Sequence, residues 1–377
     1  MLSQQNITQS LQSPAGRFFV VAVGIAIALG LLYVFGKEVR KIPAKLFVLM
    51  ATAFLDMIGN LMILPLLPFY VKELGGPGVN VLGIHLGIGI ISGFIVASFT
   101  VAQLLSAPLW GRFSDRVGRR PTLLVALAAS GIAYLIFGFA HSLFVLFLSR
   151  IVQGAGGGTV GVIQAYVADS TQPEDRARAL GWLSATTNLG VVLGPVLGSF
   201  AITLGERDLL PGPATLQLGR AAPGIFAAAL CLANILFAAR YLTESRNLSE
   251  HAESTGPRPS SRQAIWRVVS HSGEPASRLI WTYAIAIGAF QGSFSVLALF
   301  LNARFQVTEK TIFYFFVYIG LISVFSRVLV LGRAVDWLGE AKLSRLGLVL
   351  LAGGVVGMPL ARNLWTLAFA VALIPLG

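Results

Sequence analysis

Asp56 and Arg150 are the residues of this chain least easily explained as packing, because each stands well inside a long apolar run. About ten residues into its run, Asp56 lies roughly 15 Å along a helix axis, near the middle of a bilayer. An acid there costs roughly 2.5–3.5 kcal/mol on insertion scales, so such a residue usually faces a cavity and has a task. Desolvation penalises the ionised carboxylate, which suits reversible proton binding or the recognition of a cation; a buried structural hydrogen bond is the other reading. Arg150 keeps its charge and needs an anionic or polar partner. That partner is either Asp56, in a network that changes when a proton binds, or helix-end carbonyls and water. Gln153 on the next helical turn and Gln103 on the preceding hairpin extend a polar lining.

The elements that position these groups follow from composition. With 55% hydrophobic residues, 12% charged residues and a mean hydropathy of +0.78 over 377 residues, a water-soluble core could not hide the apolar side chains. The lipid bilayer is the solvent. A span needs roughly 20 apolar residues, and eleven segments qualify, near 18–36, 46–70, 81–110, 121–140, 143–168, 179–204, 221–243, 279–303, 311–331, 343–361 and 364–377. The net charge of +12 is placed rather than spread: Lys37, Arg40, Lys41 and Lys45 precede the second segment, and Arg112, Arg116, Arg119 and Arg120 follow the third. By the positive-inside rule these loops are cytoplasmic. Nucleic acid is excluded as a partner, since neither a stacking platform nor a recognition motif accompanies the charge. The single Cys231 reads as a packing residue. Phosphate-loop, HExxH, paired CxxC and GxSxG patterns are missing from the sequence, so no enzyme, metal site or cofactor is expected, and transport energy must come from an ion gradient.

Between the third and fourth segments lies a compact charged hinge, with Gly111, Asp115, Arg116, Gly118, Arg119 and Arg120. Close-approach glycines beside an acid and several guanidinium groups make a unit that locks in one conformation; a plain topogenic loop is the simpler alternative. A related frame returns 221 residues later as Gly332, Asp336 and Gly339. One constant offset implies two related halves, a pattern common in secondary transporters. The domain reading is an extra membrane helix and basic segment at 1–45, a six-helix bundle at 46–243, a polar cytoplasmic linker at 244–278, and an incomplete bundle of about four helices at 279–377. Ile265, Trp266, Val268 and Val269 form an amphipathic patch within that linker.

Gly190, Gly194 and Gly198 recur every four residues, with Pro195 beside the second. Such a stripe serves static packing or sliding between helices. His85 and Arg327 sit near span ends and reach the interface, and Phe313 to Tyr318 is an aromatic stretch suited to belt and core packing or to a cation.

These segments together resemble the major facilitator superfamily. The hinge is similar to its signature between helices 2 and 3, Leu148–Gly154 to the RxxQG motif of its fourth helix, and Gly190–Gly198 to the fifth-helix motif of proton-coupled drug antiporters. Asp56–Pro68, Gln103–Pro108 and Ala168–Arg178, which contains Asp169, are similar to the tetracycline-efflux branch. The resemblance covers 46–377. It implies an all-α polytopic membrane protein with two pseudo-symmetric helical bundles, the second cut short, and one extra N-terminal helix. It further implies proton-coupled efflux of a small amphipathic compound by alternating access. Asp56, Arg150, Gln103 and Gln153 would serve proton and substrate, Asp169 and the two hinges would form the latch, and Gly190, Gly194, Pro195 and Gly198 would gate. The partners are a small-molecule substrate, protons and the bilayer, for a monomer in a bacterial inner membrane. A proton-coupled importer and a truncated, non-transporting membrane protein are the alternatives. Ala133 and Ser323 stand where the tetracycline exporters carry an acid and a histidine, so tetracycline itself is not implied.

Overall fold

The computed structural model describes residues 43–76, 78–81, 84–157, 159–206, 218–245, 261–326 and 330–376. The segment at 18–36, residues 246–260 of the 244–278 linker and Arg327 lie outside the described residues. Among those described, eight helices are long and apolar enough to cross a membrane, and Phe313–Ser323 and Trp365–Leu376 are shorter apolar helices. This is an all-α, polytopic membrane protein.

The first described span, Ala44–Gly75, is made of α1 (Ala44–Ile63) and α2 (Leu67–Gly75). Pro65 stands between them, where its missing N–H and its ring interrupt the helical ladder. The chain then makes a small antiparallel hairpin, β1 (Val79–Val81) with β2 (Ile84–Leu86), pairing Asn80 with His85. This corrects the segment expected at 81–110: the membrane helix α3 is Ile88–Val117. The apolar residues before it alternate with polar ones and pair as strands, and His85 bonds Asn80 through Nδ1 at 3.0 Å in the hairpin.

After the hinge, α4 (Arg119–Gly138) returns across the bilayer. The next span, Leu143–Ser170, consists of α5 (Leu143–Gly156) and α6 (Thr159–Ser170). Ser142 caps α5 by accepting the N–H of Val145. The long α7 (Pro173–Gly205) begins with proline at its first position and Glu174 and Asp175 in its first turn, both suited to a helix N-terminus. The first half closes with α8 (Ala222–Tyr241). A short α9 (Ser261–Ser270) leads into α10 (Pro275–Phe305), so the membrane helix starts four residues before the expected 279. The second half continues as α11 (Phe313–Phe325), α12 (Leu331–Leu338), α13 (Glu340–Leu360) and α14 (Leu364–Leu376).

Two apolar clusters divide the interior by depth. One gathers the ends of first-half helices nearest the Gly118 hinge through Leu49, Leu123, Val167, Ala179 and Ala238. The other joins their opposite ends to the second half through Ile63, Leu67, Phe137, Leu301, Ile312 and Phe316. The halves therefore meet through buried apolar contacts away from the hinge. Outward-facing Phe94, Leu104, Leu105 and Leu109 of α3 are exposed, as lipid-facing residues of a span should be.

Candidate functional site

One face of α1 carries polar groups at four-residue intervals: Thr52, Asp56 and Asn60. The Thr52 carbonyl accepts from Asn234 Nδ2 of α8 at 2.9 Å. Asp56 is half-buried and meets the hydroxyl of Thr159. Asn60 Oδ1 accepts from Gln153 Nε2 at 3.1 Å. Asp56 and Asn60 thus face the span built from α5 and α6, while Thr52 meets α8.

That span is interrupted where the sequence runs Gly156-Gly157-Gly158. An interruption inside a membrane frees carbonyl groups that must find donors. Three side chains on one face of α3 supply them. Gln103 Nε2 donates to the Gly157 carbonyl at 3.1 Å, Ser106 Oγ to Gly154 at 3.3 Å, and Trp110 Nε1 to Ala155 at 2.6 Å. Gln103, expected as part of a polar lining, is engaged in holding this break. A Cβ on Gly154 would stand 2.2 Å from the Phe99 carbonyl oxygen, so only glycine lets α3 come this close. The consequence for chemistry is that α6 starts afresh at Thr159, beside Asp56. A helix N-terminus presents free N–H groups and partial positive charge, here next to a membrane-embedded carboxyl.

Arg150 is only 2% exposed, and its guanidinium lies over the Phe137 ring at 5.3 Å from the centroid. Its Nε and Nη2 have no hydrogen-bond partner among the described residues. Asp56 and Arg150 thus take different neighbours, a hydroxyl and an aromatic ring. Between them stands Tyr134 of α4, within electrostatic reach of both. Its hydroxyl accepts from Gln153 Nε2 at 3.2 Å, and Gly59 leaves room for its ring, 3.1 Å from where a Cβ would be. Tyr134 and Asn60 were not singled out from the sequence. An aromatic residue in an apolar helix carries no signal of its own, whereas Asn60 sits one turn after Asp56 and is readable from that spacing.

The glycine stripe of α7 faces α1. A Cβ on Gly190 would lie 2.9 Å from Met57 Cβ, one on Gly194 2.7 Å from Leu61 Cβ, and one on Gly198 2.4 Å from the Met62 carbonyl oxygen. These glycines, with Pro195 inside the helix, bring α7 hard against the helix that carries Asp56. Another face of α7 meets the second half, where Val192 occupies the space that a side chain on Gly320 would need.

At the charged hinge, Gly118 ends α3 and precedes α4 with φ 105° and ψ 163°. Arg119 binds three residues: Nη1 lies 3.1 Å from Asp115 and donates to Ser114 Oγ at 2.8 Å, while Nε reaches Asp169 Oδ2 at 2.8 Å. Arg120 donates to the Ala239 carbonyl. Glu244 completes the unit, accepting the N–H groups of Arg119 at 2.9 Å and Arg120 at 3.1 Å. It caps α4 from 125 residues away. Gly111 and Asp115 line a groove of about 470 Å3 that runs past Trp110 to Gln103. Arg116 stays in the last turn of α3, where a cation opposes the negative helix end. In the second frame, Gly332 lies in α12, Asp336 is exposed, and Gly339 joins α12 to α13 with φ 74° and ψ 155°.

Known proteins similar to this chain are membrane transporters. Multidrug resistance protein 2 of Bacillus subtilis is 26% identical over 314 residues, covering 83% of this chain and 72% of the relative. The class C tetracycline resistance protein of Escherichia coli is 29% identical over 341 residues, covering 87% and 76%. Among solved structures, the human organic anion transporter MFSD10 (TETRAN) superposes with a TM-score of 0.62 at 23% identity, over 88% of this chain and 84% of that one. A partially occluded inward open form of the Escherichia coli xylose transporter XylE gives 0.64 at 16% identity, over 88% and 84%. The Major Facilitator Superfamily profile matches residues 49–377, and the chain belongs to that family of membrane transporters.

Proposed function

We propose that this chain exports a small amphipathic compound from a bacterial cell in exchange for protons, working as a monomer in the inner membrane. The observation that carries the reading is Asp56, a membrane-embedded carboxyl whose neighbour is the Thr159 hydroxyl at the start of α6. The ionised form is held by that hydroxyl and by the positive end of α6. A proton neutralises the carboxyl and weakens both interactions. A cationic substrate group and a proton compete for the same oxygen atoms, which is the elementary requirement of exchange.

Gln153, Tyr134 and Asn60 form a hydrogen-bonded bridge between α5, α4 and α1. The Arg150 guanidinium, with donors to spare, answers the change of charge through this bridge. Similarity to multidrug and tetracycline resistance proteins supports export and an amphipathic cargo. The hinge at Gly118 locks one orientation of the halves, and α7, packed on α1, carries movement at Asp56 to the contact with Gly320.

The test is transport by the purified chain in liposomes with a fluorescent lipophilic cation and with tetracycline as probes. An imposed pH gradient should drive probe movement against the proton flow. Probe moving in the same direction as protons would replace export with import, and equal rates with and without the gradient would remove proton coupling.

A further inference from the structure

Trp266 is 70% exposed and Val269 49%, although both are apolar and belong to α9, the helix that leads into the span α10. They stand three residues apart and so share one face, on which Arg262 stands one turn before Trp266. A bonded turn fixes α9 to α10. The N–H of His271 donates to the Arg267 carbonyl at 2.9 Å, that of Glu274 to the His271 carbonyl at 3.1 Å, and that of Arg278 to the Glu274 carbonyl at 2.9 Å. Arg267 Nη2 lies 3.7 Å from Glu274 Oε2 across the same turn. The depth of α9 follows from α10. Through Asn302, the far end of α10 meets Lys72 of α2 away from the Gly118 hinge, so its first turn and α9 stand on the hinge side. The exposed apolar residues of α10 begin with Leu279, Ile280 and Tyr283, directly after the exposed Arg278. Arg278 lies three residues, about 4.5 Å of helix axis, into α10. This places α9 in the layer of the lipid headgroups.

We infer that α9 is a docking helix for a negatively charged phospholipid surface on the hinge side of the membrane. Trp266 and Val269 enter the boundary between headgroups and acyl chains, and Arg262 and Arg278 meet lipid phosphates. A tryptophan suits that layer, because its ring is apolar while its N–H still reaches water or a headgroup. The sign of the lipid follows from the charges. Residues 261–278 hold three arginines, Arg262, Arg267 and Arg278, against one acid, Glu274, which already pairs with Arg267. A neutral bilayer offers the remaining cations no net counter-charge, whereas an anionic one attracts them from within a Debye length. Both the depth of α9 and the sign of its charge favour lipid over a protein partner. Since the turn at 271–274 bonds α9 to the first turn of α10, the surface that holds α9 also fixes how the second half enters the bilayer.

This inference rests on the placement of α10 as a span and not on proton coupling, so its test measures depth rather than flux. The full chain carries Cys231→Ala and a nitroxide at Val269→Cys. It is placed in nanodiscs of phosphatidylcholine alone or of phosphatidylcholine mixed with phosphatidylglycerol. Electron paramagnetic resonance power saturation then compares access of oxygen, which enters lipid, with access of a water-soluble nickel chelate. The oxygen-to-nickel ratio should be at least about threefold higher in the anionic discs. Arg262→Gln combined with Arg278→Gln should bring it down to the phosphatidylcholine value, while Arg262→Lys combined with Arg278→Lys should keep it high. Trp266→Ser should lower the ratio in the anionic discs. The comparison of the two lipids needs no arginine substitution, so it stands even if the glutamine variant fails to fold. Equal ratios in the two lipids, a ratio unmoved by the glutamine pair or by Trp266→Ser, or poor access of both reagents, as when protein covers the face, would overturn the inference.

Discussion

At Gly118 the backbone turns between two helices with φ 105° and ψ 163°, and at Gly339 with φ 74° and ψ 155°. Both glycines end one helix and begin the next in a conformation essentially reserved for glycine. Their surroundings differ. A Cβ on Gly118 would stand 2.5 Å from a carboxylate oxygen of Glu244, while a Cβ on Gly339 would have none of the described residues within 4 Å. Arg119 ties Ser114, Asp115 and Asp169 together, whereas the equivalent position in the second frame is Glu340. Backbone geometry is what the two frames share. Among the described residues, the bonded network belongs to the first frame, where an arginine follows the glycine and an acid arrives from beyond α8.

The sharpest way to break this comparison is Gly118→Ala. It strains the backbone by about 1–3 kcal/mol and displaces the Glu244 cap, worth about another 1–2 kcal/mol. Thermal unfolding in detergent should show a loss clearly larger than for Gly339→Ala, which bears only the backbone cost. Equal losses would mean that Glu244 contributes nothing.

Next in size is Arg119→Lys. A single ammonium cannot reproduce the guanidinium contacts to three residues, and transport should fall about tenfold, equivalent to about 1.4 kcal/mol, with little change in melting temperature. Glu244→Gln should cost about 1 kcal/mol of stability through weakened capping. The smallest effect is expected for Asp336→Asn in the second frame, within about 0.5 kcal/mol, since the side chain is exposed.

What the sequence disclosed depended on contrast. Asp56, Arg150 and the hinge arginines are charges against an apolar background, and glycine at both hinges marks a turn that no other residue makes easily. Glu244 offered no such contrast, being one acid at the start of a polar stretch, and its partner helix begins 125 residues earlier. The break after Gly156 was not legible in the sequence, because the donors that stabilise it are Gln103, Ser106 and Trp110 of another helix. The strands before α3 were hidden for the opposite reason. Their valines, isoleucine and leucine read as the beginning of a membrane segment.

The central site and the hinge separate in one experiment, which compares probe exchange at equal pH with accumulation driven by a pH gradient in liposomes. Arg119→Lys should lower both rates in parallel, because a lock affects every crossing of the halves. Asp56→Asn should lose the response to the gradient while exchange persists at probe concentrations raised to offset its weaker hold on a cation, because the neutral amide still lets the halves move but cannot carry a proton. Gradient-driven accumulation that survives in Asp56→Asn would contradict the assignment of proton exchange to this residue.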